Sequence, residues 1–134
     1  MTSRQRAILA IYVCAFGVGT ACHVLDILRG GWLPYRTHAL GLNLFWTALT
    51  FLDPLAILLL LYRRRAGLCL AVLIMLVDVG VNLGVGLDEY NRSSRFTMWG
   101  LYTQIPFAVF LWLTAPLMWA APDTERVGGE RRLG

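Results

Sequence analysis

Four stretches of this chain, each longer than about 20 residues, carry almost no charge, and a helix of that length crosses a hydrocarbon core about 30 Å thick. Ala7–Leu28 is apolar except for His23 and Asp26, Ala39–Tyr62 holds one charged residue, Asp53, Ala66–Leu87 holds one, Asp78, and Phe96–Ala121 holds none. Backbone polar groups in lipid must be satisfied within the protein, so apolar blocks of this length are read as helices. The intervening pieces, around 30–34, 63–65 and 88–95, are too short for a further domain. The expected fold is therefore all-α: one polytopic domain over residues 1–134, a four-transmembrane-helix bundle with a polar tail at 122–134.

The charges agree with this. Only 15% of residues are charged, against about a quarter in ordinary soluble domains. All 12 basic residues are Arg. They flank apolar blocks instead of forming a basic face with interleaved aromatics, so no nucleic-acid partner is expected. Arg4, Arg6, Arg63, Arg64, Arg65, Arg126, Arg131 and Arg132 fall on one side, and Arg29, Arg36, Arg92 and Arg95 on the other. The positive-inside rule then puts both termini in the cytoplasm. The all-Arg, Ala- and Leu-rich composition points to a bacterial protein of the inner membrane. Gly19-Thr20-Ala21-Cys22 approximates a lipoprotein cleavage box, but three further spans follow and the first helix is expected to stay attached. Cys14, Cys22 and Cys69 lie inside spans without a Cys-x-x-Cys pair and are expected to be small packing residues.

Ionisable groups inside a span normally face an interior site. At about 1.5 Å per residue, Asp53 and Asp78 lie within about 4 Å of their helix centres. His23, Asn82 and Gln104 lie about 7–8 Å outward, with Asn43 and Asp26 a few ångströms beyond. Asn43, Thr47, Thr50 and Asp53 share one broad stripe of the second helix; His23 and Asp26, and Asp78 and Asn82, are spaced to share a face. The expectation is an outward-opening pocket floored by Asp53 and Asp78, with His23 and Asp26 at its mouth. Asn43, Thr50, Asn82 and Gln104 would orient a ligand, with the deeper aromatics Trp46 and Trp112 on the wall. Trp32, Tyr35, Tyr62, Trp99, Tyr102 and Trp119 are read as interfacial anchors. Gly80 and Gly84 form a Gly-x-x-x-Gly pair away from the Asp78 face, suiting helix packing or a homodimer.

A carboxyl group among apolar side chains favours its protonated form, and two close together share a proton, which places an acid and a base in one site. Walls of Leu, Phe and Trp would admit a lipophilic molecule that carries a cation or passes through a carbocation. Phosphate loop, nucleophile elbow and H-E-x-x-H patterns are absent from the sequence. No metal and no cofactor is expected.

Three stretches resemble the EXPERA membrane family of sterol-isomerase and sigma-2-receptor type: His23-Val24-Leu25-Asp26 with Trp32-Leu33-Pro34, Phe51-Leu52-Asp53-Pro54, and Tyr102-Thr103-Gln104-Ile105-Pro106. The resemblance implies a four-helix bundle with a carboxylate-lined pocket for sterol-like or amine ligands, with Asp26 and Asp53 as ligand-contacting acids. Residues and resemblance together lead to a pocket for an isoprenoid, sterol-like or amine molecule in contact with membrane lipid. An isomerase or cyclase would use Asp53 and Asp78 as its acid and base. The competing expectations are a proton-coupled transporter and a non-catalytic subunit of a membrane complex.

Overall fold

The first helix starts on a reciprocal cap: the Thr2 hydroxyl accepts from the Gln5 N–H at 3.2 Å, and the Gln5 side chain accepts from the Thr2 N–H at 2.9 Å. It runs over Ser3–Gly30 as α1, followed by α2 (Leu40–Tyr62), α3 (Arg64–Ser93) and α4 (Leu101–Trp119). The computed structural model describes residues 1–94 and 100–120. Arg95, Trp99, Arg126, Arg131, Arg132 and the expected start of the fourth span lie outside the described residues, as does the tail at 122–134. All four helices are long and apolar enough to cross a membrane, so the chain is an all-α, multi-pass membrane protein.

Consecutive helices pack side by side, and α4 returns to a narrower contact with α1, closing a four-helix ring. Tyr12, Leu49, Leu60, Leu68, Leu111 and Met118 are fully buried inside it. Large apolar side chains also cover the outside: Leu28, Phe51, Leu58, Leu73, Leu76 and Leu113 are all exposed. This is expected where the solvent is hydrocarbon, because the polar groups turn inward. Asn43, Thr47, Asp53, Asp78 and Asn82 are buried. The three cysteines, read as small packing residues, are exposed on the outside of the bundle. Gly80 and Gly84 are also on the exposed face of α3 and meet no other part of the chain.

At the end of the bundle carrying the N-terminus, α2 and α3 are joined through the single residue Arg63 rather than through a loop over 63–65. Such a turn forces the two helices into backbone contact. A Cβ on Gly67 would collide with the Leu60 backbone nitrogen and lie 2.6 Å from the Leu59 carbonyl carbon. At the opposite end α3 runs six residues beyond the expected Leu87, to Ser93, with Asp88 and Arg92 paired one turn apart at 2.8 Å. The α1–α2 connection turns through Gly31 and Leu33, both at positive φ. Leu33 is strained in that conformation, and its carbonyl is held by the Asn43 amide at 3.0 Å.

On the N-terminal half of the bundle, α1 and α4 are sewn together. The Tyr12 hydroxyl meets the Thr114 hydroxyl at 2.6 Å and the Leu111 carbonyl at 3.2 Å. Its ring stands edge-on to Phe107 and Phe110, and the Gln5 amide donates to the Leu117 carbonyl. Because the Gly67 clash is with backbone, Gly67→Ala is expected to cost at least about 1–3 kcal/mol. Thermal unfolding in detergent checks this, with Gly80→Ala, which meets open space, expected to unfold like the native protein.

Candidate functional site

Four polar groups inside the bundle have one another as partners, and their connection follows from what each can donate. The Trp46 indole can only donate. It gives its N–H to Asn82 Oδ1 at 2.8 Å, with both residues buried. This turns Asn82 Nδ2 towards α3 and α4, where it donates to Asp78 Oδ1 at 3.0 Å and to Gln104 Oε1 at 2.9 Å. Gln104 Nε2 then completes the ring on Asp78 Oδ2 at 2.9 Å. Three amides in this ring would leave one pair of like groups face to face. The ring closes because a carboxylate accepts at both oxygens. Gln104, expected to orient a ligand, has both ends of its amide committed to this ring.

Asp53 is held differently. It is buried on α2, yet no hydrogen bond or ion pair from the described residues reaches its carboxyl. Its Oδ2 lies 2.6 Å from the position a Cβ on Gly19 would take, so the missing side chain on α1 is what makes room for it. Asp53, Asp78, His23 and Gln104 line one cavity of about 390 Å3. Ala15, Phe16, Val18, Ile74, Met75 and Phe107 supply its apolar walls, with Gly19, Cys22, Gly100 and Thr103 completing it. It lies between α1 and α4, beyond the Tyr12 closure. Val18, Cys22 and Thr103 line it and are themselves exposed on the bundle's lateral surface. The cavity therefore reaches the lipid-facing side between these two helices.

The other candidate residues lie around this cavity or away from it. Asp26 accepts from the Tyr35 hydroxyl at 2.7 Å, and that hydroxyl meets His23 Nδ1 at 3.0 Å. Tyr35 is thus turned inward from the α1–α2 connection and is not the interfacial anchor expected of it. Burial, and then the Asp26 carboxylate, hold its phenol above the ordinary tyrosine pKa. Asn43 does not line the cavity; it braces the connection, accepting from the Tyr35 N–H at 3.1 Å while its amide holds Leu33. Trp46, expected on the wall, does not line the cavity either. Its ring sits edge-on to Tyr35 and His38, with centroids 5.2 and 5.0 Å away, and it acts through Asn82. Thr50 also lies off the cavity, with its hydroxyl buried and without a hydrogen-bond partner among the described residues.

Trp112 is separated from all of these. It lines a hollow of about 370 Å3 between α3 and α4, with Leu68, Cys69, Val72, Ala115, Pro116 and Trp119, and the Arg65 guanidinium lies 5.5 Å from the Trp119 ring. Gly19, Cys22 and Thr103 are among the lining residues the sequence did not single out, and Tyr35 acts from outside the cavity by holding His23. Gly19 was legible in one respect: it precedes His23 by four residues and shares its helix face.

No family model matches this chain, and no curated protein or solved structure matches it.

Asp78→Asn forces two donors together in the ring and is expected to destabilise the bundle by about 1–2 kcal/mol. Thermal unfolding in detergent would register this as a lower midpoint; an unchanged midpoint would contradict the donor assignment. Gly19→Ala is expected to leave the midpoint nearly unchanged, since the colliding atom is the end of a side chain, while displacing the Asp53 carboxyl.

Proposed function

We propose that this protein binds a lipophilic amine inside the membrane, its cationic nitrogen on Asp53 and its apolar body along Phe16, Ile74, Met75 and Phe107. The observation that carries this reading is the contrast between the two acids on one cavity. Asp78 has its acceptor positions met by Asn82 and Gln104. Asp53 receives no donor from the described residues and faces the same space. A buried carboxylate without a partner is costly, and a ligand that brings the donor and the positive charge removes that cost. The volume falls within the usual range for small-molecule sites, about 300–1,000 Å3. The opening between α1 and α4 suits a ligand that arrives dissolved in the bilayer. The resemblance to the EXPERA family implies the same ligand class, and the arginine distribution is consistent with a bacterial inner membrane and cytoplasmic termini.

The presence of both carboxyls on one cavity favours a second reading, an isomerase of isoprenoid or sterol-like substrates. One carboxyl would protonate an alkene carbon and the other would take a proton from the neighbouring carbon, shifting the double bond without net change. Such turnover in D2O would place deuterium in the product, whereas simple binding would not.

The test of the amine reading is equilibrium binding of dodecylamine to the protein in zwitterionic nanodiscs, with empty nanodiscs subtracted. Asp53→Asn is expected to weaken binding at least about tenfold, the value of one charge-assisted hydrogen bond. Dodecanol, which brings no charge, is expected to bind both forms alike. Equal dodecylamine affinity in the two forms would contradict the role of Asp53.

A further inference from the structure

The contact between His23 and Tyr35 has a direction. The Tyr35 hydroxyl has one hydrogen and gives it to Asp26 Oδ2 at 2.7 Å. Its oxygen is then left to accept, so the 3.0 Å contact with His23 Nδ1 is filled by the imidazole N–H. A neutral imidazole protonated at Nδ1 carries its lone pair on Nε2. His23 lines the cavity, and Tyr35 and Asp26 hold the opposite edge of its ring, so the cavity has an uncharged acceptor as well as two carboxyls.

The second acceptor lines the same cavity as Asp53. Gly19 and His23 are four residues apart on α1, and side-chain positions at that spacing are about 5–6 Å apart on one face. The Asp53 Oδ2 lies 2.6 Å from the side-chain position of Gly19. A single nitrogen donating two N–H bonds of about 2.8 Å at the tetrahedral angle spans acceptors about 4–5 Å apart. We propose that the ligand's ammonium is held between the Asp53 carboxylate and His23 Nε2, so that the site selects primary and secondary amines over tertiary and quaternary ones. This rests on the cavity being an amine site and adds the feature that discriminates among amines. Tyr35 and Asp26 act as positioning residues: they set the imidazole tautomer without touching the ligand.

The test uses one chain length and four head groups: dodecylamine and its N-methyl, N,N-dimethyl and trimethylammonium forms, each titrated into the full-length protein in nanodiscs. The native protein is expected to bind the first two at least about tenfold more tightly than the last two, the value of a second hydrogen bond to a charged group. His23→Leu is expected to bring the first two close to the affinity of the dimethyl form, with the trimethylammonium form, which has no N–H for Asp53 either, still the weakest. Tyr35→Phe, which releases Nδ1, is expected to shrink the preference while leaving Asp53-dependent binding. Independently, the 15N spectrum of His23 is expected to report Nδ1 protonated and Nε2 bare, and Tyr35→Phe to abolish that bias. Equal affinity for all four amines, with Asp53 still required, would overturn the bridging role of His23 and leave the amine reading standing. A native spectrum with Nε2 protonated would also overturn it. Failure of every amine to bind would overturn both.

Discussion

The pairing of Asp78 with two amide donors is the interaction on which the interior of this protein depends. A carboxylate in the hydrocarbon region is tolerated only with partners, and Asn82 on its own helix and Gln104 on α4 supply them. Trp46 on α2 reaches the same Asn82. One acid thereby ties α2, α3 and α4 together through bonds whose polarity is set by an indole that can only donate. The arrangement also determines what remains. With Gln104 and Asn82 committed to Asp78, Asp53 faces the cavity without a donor from the described residues, and the site acquires two acids with different surroundings.

The same division runs along the bundle axis. On the N-terminal half, Tyr12 joins α1 to α4 through Thr114 and Leu111 and packs edge-on to Phe107 and Phe110. Beyond Phe16 and Phe107 that seam parts, and the space is kept open by Gly19 facing the Asp53 carboxyl. A bulky residue at 19 would fill it. The α1–α2 connection closes the far end through Tyr35, which is bound to Asp26, His23 and Asn43. Entry from the side, past Val18, Cys22 and Thr103, then suits a molecule already dissolved in lipid.

The four helices were legible because a span must be long and uncharged, and length and charge are read directly along a chain. The depth of Asp53 and Asp78 followed from the rise per residue. What periodicity could not supply was the partner. It places Asn43, Thr50 and Asp53 on one stripe of α2, yet only Asp53 reaches the cavity, because helix packing decides which part of a stripe meets open space. Tyr35 was misread because an aromatic near a helix end has two outlets, the interface or the interior, and a nearby Asp26 decided for the interior. Trp112 was misplaced because its apolar ring is equally at home on either side of a helix in lipid. The cysteines face outward for the same reason: when the solvent is hydrocarbon, a small apolar side chain gains little by packing inside.

Asp53 is proposed to hold a cationic ligand in the cavity between α1 and α4, and Cys22 on the rim of that cavity reports on its occupancy. With Cys14 and Cys69 replaced by Ala, alkylation of Cys22 by a membrane-permeant maleimide would be timed with and without dodecylamine. The amine is expected to slow the labelling of Cys22, and Asp53→Asn to remove this protection. Labelling at the same rate with and without the amine, or protection that survives the loss of the Asp53 charge, would contradict it.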